Sequence, residues 1–142
     1  MNIARGLLLG LGLVVAACGS DTPGSPSPTM NLAGAWTGTW SFVAGGATVT
    51  DTVAMTLAQN GTTVSGQWSS AGNAAGTVSF TAGADFTGTV SFSQTLITGG
   101  NCSASTTMTG TASANQIQFT PGTLTSAGLC QWATNQQFTF AR

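Results

Sequence analysis

From Asn31 onward, large apolar residues recur at every second position over most of the chain. That spacing gathers them on one face of an extended backbone, whereas a helix would repeat every three to four residues. Trp36, Gly38, Trp40 and Phe42 share one face, backed by Thr37, Thr39 and Ser41. Val49, Asp51, Val53, Met55 and Leu57 follow, backed by Thr50, Thr52 and Thr56. The same parity then collects Val64, Gly66 and Trp68, next Val78 and Phe80, and next Phe86, Gly88, Val90 and Phe92. The C-terminal half adds Cys102, Ala104 and Met108, then Ile117 and Phe119, then Cys130 and Trp132, and finally Phe138 and Phe140. Each run reads as a half-buried strand.

Turn chemistry separates the runs. Asn60-Gly61 is the strongest hairpin signal, and Ala71-Gly72-Asn73, Gly83-Ala84-Asp85, Gly99-Gly100-Asn101 and Ala114-Asn115 mark further reversals. About eight strands in up-and-down order result, which predicts an all-β fold: a small, closed antiparallel barrel. A weak repeat supports closure. Thr37-Gly38-Thr39-Trp40, Ser65-Gly66-Gln67-Trp68, Thr87-Gly88-Thr89-Val90 and Thr109-Gly110-Thr111-Ala112 recur about once per hairpin, with glycine on the inward parity. A strand glycine lets a sheet bend as sharply as a small barrel requires.

The 142 residues carry two arginines, three acidic residues and no His or Tyr. Arg5 and Arg142 stand at opposite ends, so no basic patch can gather to displace phosphate counterions, and nucleic acid is not an expected partner. The side chains that most acid/base, nucleophilic and metal-dependent enzymes use are missing, so a non-catalytic protein without metal or cofactor is expected. With 42% hydrophobic residues, four Trp and seven Phe, the chain can still build a core. Its length suits a single domain over residues 31–142.

Residues 1–17 read as an export signal. Arg5 precedes the apolar run Gly6–Val15, which is too short to span a bilayer. The run ends in Val15-Ala16-Ala17-Cys18, which resembles the lipobox of bacterial lipoproteins. That resemblance implies diacylglyceryl attachment to the Cys18 thiol, cleavage before Cys18 and acylation (palmitate or similar) of the new N terminus. Two or more acyl chains would make the membrane attachment lasting. The residue after Cys18 is Gly19 and not Asp, which by the same resemblance favours the outer membrane. The plainer reading is an ordinary secretory signal with Cys18 incidental. Residues 18–30 then form a tether rich in Pro, Ser and Gly that cannot build a core. An exported domain that keeps Cys102 and Cys130 is expected to join them in a disulfide. Closing that loop would contribute about 3–4 kcal/mol on a chain-entropy estimate.

Gly34-Ala35-Trp36-Thr37-Gly38-Thr39-Trp40 looks like the Gly-x-Trp opening of lipocalin-type barrels. Thr81-Ala82-Gly83-Ala84-Asp85 followed by Thr87-Gly88-Thr89 is similar to a hairpin of the avidin and streptavidin family. Both resemblances imply an eight-stranded barrel. Biotin binding is not implied, because the avidin pocket uses a tyrosine that this chain lacks.

Trp36, Trp40, Trp68 and Trp132 either line an apolar pocket at a barrel mouth or fill the interior. Asp51 falls on the core parity with no Lys or His to pair with. A carboxylate there must reach the rim, meet hydroxyls or bind a ligand cation. Asp85 reads as a turn residue, and the Thr-rich outer face as a solvated wall. The sequence thus predicts a lipid-anchored barrel binding a small apolar ligand or an envelope partner. The alternative is a purely structural envelope lipoprotein whose barrel is filled.

Overall fold

The computed structural model describes residues 30–95, 100–124 and 133–142. The signal segment, Cys18, most of the tether, Cys130 and Trp132 lie outside the described residues. The strands follow the apolar runs: β1 (Gly34–Ala44), β2 (Ala47–Asn60), β3 (Thr63–Ser70), β4 (Ala74–Thr81), β5 (Asp85–Thr95), β6 (Asn101–Ala112), β7 (Gln116–Pro121) and β8 (Thr134–Ala141). Each pairs antiparallel with the next, and β8 returns to β1, so the sheet closes as an eight-stranded barrel. Closure suits an outer wall of Thr and Ser, which has no Lys to guard a long exposed edge against pairing.

Two hairpins show how turn residues fix the register. Gly45 and Gly46 both have positive φ (59° and 83°), the requirement of a type I′ turn, and they pair Ala44 with Ala47. In the next hairpin only Gly61 is positive (60°), so the loop is Gly61-Thr62 in the II′ pattern and Asn60 is the last strand residue. The Asn60-Gly61 signal thus marks the hairpin correctly but sits one residue early.

The alternation predicts the inward face well. Trp36, Trp68, Phe92, Phe119, Phe138 and Phe140 all have less than 2% or about 2% of their surface exposed, and with Met55, Val64, Val78, Met108 and Ile117 they fill the interior. Phe138 is the hub. It stacks on Trp40 (5.5 Å between centroids, 7° between planes) and Phe119 (4.7 Å), and it meets Trp68 edge-on (5.1 Å). Val49 departs from the pattern: it is 40% exposed although it shares the parity of Val53 and Met55. The β1–β2 hairpin projects past its neighbour, since β3 first pairs at Val53↔Ser70, so the inner face of its tip has no core beneath it.

The inward glycines work through space. A Cβ on Gly38, Gly66, Gly88 or Gly110 would run into a carbonyl oxygen of a neighbouring strand, at Thr139, Thr56, Ser79 and Gln118 respectively. The repeat therefore marks places where the wall bends until adjacent backbones nearly touch. Gly76, outside the repeat, does the same against Ser91. Around it the β4–β5 pairs skip from Ala75↔Ser93 to Val78↔Val90. The Thr77 N–H donates to Ser91 Oγ (2.9 Å), and the Trp68 indole reaches across from β3 to donate to the Ser91 carbonyl (3.1 Å).

One end of the barrel is latched shut. Gln59 accepts a hydrogen bond from Leu32 N–H at Oε1 (2.7 Å) and donates from Nε2 to the Met30 carbonyl (2.9 Å), which holds the incoming chain across the bottom. Leu32 is fully buried there, and its carbonyl accepts the Trp36 indole N–H (2.9 Å). Arg142 donates to the carbonyls of Ala114 (2.8 Å), Ala33 (3.0 Å) and Asn31 (2.6 Å), with its guanidinium 4.4 Å from the centre of the Trp36 ring. Arg142→Met keeps the stem but removes the donors and the charge. Because the site is exposed to water, the expected loss is about 1–2 kcal/mol in a denaturant titration. No change in midpoint would show the latch to be idle.

Candidate functional site

At the opposite end, no comparable latch is found among the described residues. The β1–β2 turn, the β3–β4 turn, the ends of β5 and β7 and the starts of β6 and β8 all lie at this end. Here a cleft of about 630 Å³ runs between the projecting hairpin and the rim. Trp40, Phe42, Val43 and Val49 supply its apolar wall, and Thr50, Asp51, Gln94 and Thr134 its polar one. The mixture is typical of ligand sites, which are mostly apolar with a few placed polar groups.

Asp51 reaches this rim because β2 carries it past the end of the packed core. Its carboxylate does structural work: Oδ1 accepts from Thr52 N–H and Oδ2 from Gly72 N–H, both at 2.8 Å. These bonds cap the β2–β3 ladder and hold the β3–β4 turn against β2. A half-buried carboxylate without a cationic partner is thereby accommodated, and it leaves negative charge on the cleft wall. The one described cation, Arg142, lies at the other end.

The three described tryptophans do not form one site. Trp40 contributes to the floor of the cleft, though it is only 6% exposed, and its indole donates to Oε1 of the buried Gln136 (3.1 Å). Trp36 faces the latched end, and Trp68 packs at mid-height with its N–H committed to Ser91. These two are core residues and do not line the mouth, because a barrel of this girth is filled by its own side chains. Trp132 lies outside the described residues. Phe42 and Val49 line the cleft without having been singled out. Their parity showed the face they occupy, but only the length of β2 beyond β3 places them at the mouth.

Cys102 is buried (3% exposed) on the inward face of β6, and Cys130 lies outside the described residues. Asp85, at the start of β5, belongs to the closed end and stands far from Asp51 along the barrel. Among the described residues, no three Asp, Glu, His or Cys side chains come together as a metal site would require.

The fold and cleft define an up-and-down antiparallel barrel with a packed interior and a cleft at its rim. No family model, curated protein or solved structure matches the chain.

Proposed function

We propose that this chain is an exported bacterial lipoprotein, anchored through Cys18 and sorted to the outer membrane, whose barrel is a non-catalytic binding module contacting its partner through the open rim. One observation carries the choice of rim over interior: the axis of the barrel is occupied by Phe138 and the rings around it, while a cleft with an apolar wall of Trp40, Phe42 and Val49 lies at the mouth. A small apolar ligand, on this reading, meets Trp40, Phe42 and Val49 at the cleft and does not enter the barrel. The lipobox resemblance of Val15–Cys18 supports the anchor, and Gly19 supports the outer-membrane address. A Cys102–Cys130 disulfide belongs to the same reading. It is supported by the buried, inward position of Cys102.

Native mass spectrometry of the protein purified from the envelope tests these points together. The expected species begins at Cys18, carries acyl mass, and has the mass of the Cys102–Cys130 oxidised form. An unlipidated Cys18 peptide would overturn the anchor. A retained small molecule that survives Phe42→Ser with Val49→Ser would move the binding site off the rim.

A further inference from the structure

The rim holds a short stretch of unpartnered strand. From Val53 onward β2 is paired on both sides, but from Ala47 to Asp51 its one strand neighbour among the described residues is β1. The ladder ends where Ala71 N–H donates to the Thr52 carbonyl (3.1 Å) and where Asp51 caps the Thr52 and Gly72 amides. Backbone groups along a strand point to alternate sides, so Thr48 and Thr50 turn their N–H and C=O in the direction of Thr52, away from β1. That edge borders the cleft, with the inward-facing Phe42 and Val49 beside it and the Asp51 carboxylate at its base.

We propose that the open edge of β2 at Thr48 and Thr50 accepts an extended peptide from a partner protein as an added strand, with apolar side chains in the cleft and a Lys or Arg against Asp51. This rests on the reading of the rim as the contact surface and names what it contacts. Backbone complementarity selects an extended chain: the Thr48 and Thr50 groups repeat every second residue, the spacing an added strand supplies. The cleft then receives alternate side chains of that strand, and those between them face water. Charge selects a basic residue, since the described rim carries one carboxylate and no cation. Asp51 has two of its carboxylate lone pairs engaged by backbone amides and can accept further donors. A proline-rich segment such as this chain's own tether supplies fewer of the N–H donors the edge needs.

Random dodecapeptides displayed on phage can be selected on the full chain in detergent, with Thr50→Pro as counter-selection. Proline at an edge position removes one donor while leaving the β1 ladder intact. Enriched sequences should alternate apolar residues and carry a Lys or Arg. Synthetic copies should bind about tenfold more weakly to Thr50→Pro, and they should slow hydrogen exchange at the Thr48 and Thr50 amides of the wild type. Val49→Ser, which leaves the backbone edge untouched, should weaken them as well. Peptides that bind Thr50→Pro equally, or a selection that enriches nothing, overturn strand addition. If indole then still shifts the Val49 amide, the rim remains a small-molecule site and strand addition alone fails; without that shift the rim reading fails too. Self-association in sedimentation that Thr50→Pro abolishes would assign the edge to a second copy of the chain and overturn the peptide partner.

Discussion

Gly76→Ala is expected to destabilise the barrel by about 3 kcal/mol, lowering Tm by ~10–15 °C. The added methyl would run into the Ser91 carbonyl oxygen, and would lie 2.6 Å from the Ser91 carbonyl carbon and 2.7 Å from the Trp68 indole nitrogen. Neither obstacle is the free end of a flexible side chain. One is strand backbone, and the other is a ring held at 2% exposure by Phe92 and Phe138. Relief requires β4 and β5 to part locally, which stretches the Trp68–Ser91 hydrogen bond and removes about another 1 kcal/mol. Thermal unfolding followed by circular dichroism measures the loss, and a red shift of tryptophan emission would report the displaced indole. The outward-facing neighbour Ala75→Ser serves as control and should melt within a degree or two of wild type. If Gly76→Ala did the same, the close approach of the strands would carry no energetic weight.

Phe138→Ala should have the second large effect, about 3–5 kcal/mol. The ring is fully buried and contacts Trp40, Trp68, Phe92, Phe119 and Phe140, so its removal leaves a void bounded by rigid aromatics that cannot collapse into it. Dry apolar cavities of this kind take up benzene. The variant should therefore gain more stability from added benzene than wild type, whose axis is occupied and which can meet benzene only at the rim. A stabilisation of wild type by benzene that survives Phe42→Ser with Val49→Ser would point to room inside the barrel, and the rim would lose its claim as the binding surface.

The barrel could be read from the sequence because closure is a statement about faces and turns, both of which are local. Alternation gave Trp36, Trp68, Val78 and Phe119 their inward direction, and the hairpin glycines gave the strand order. Height along the barrel axis is not local. Val49 and Asp51 obey the same alternation as Val53 and Met55, yet they stand beyond the core because β3 is shorter than β2. That difference in strand length makes the cleft. Gly76 escaped the glycine repeat because Ala75 precedes it where the other copies have Thr or Ser; its role depends on Trp68 and Ser91, one strand away on either side. The Arg142 latch was equally hidden, since its carbonyl partners at Asn31, Ala33 and Ala114 come within reach only after β8 returns to β1.

That latch also decides how the molecule bears load. Tension arriving from the N-terminal side enters at Met30 and meets first the Gln59 and Arg142 hydrogen bonds, which can yield a few at a time. Beyond them lies β1, bonded on both flanks to β2 and β8 and aligned with the pull. Its two ladders would have to slide all at once, so they resist in shear and cannot be unzipped pair by pair. A barrel pulled from its closed end thus has a soft stop in front of a stiff one, and a tug there can be absorbed at the bottom without disturbing the rim.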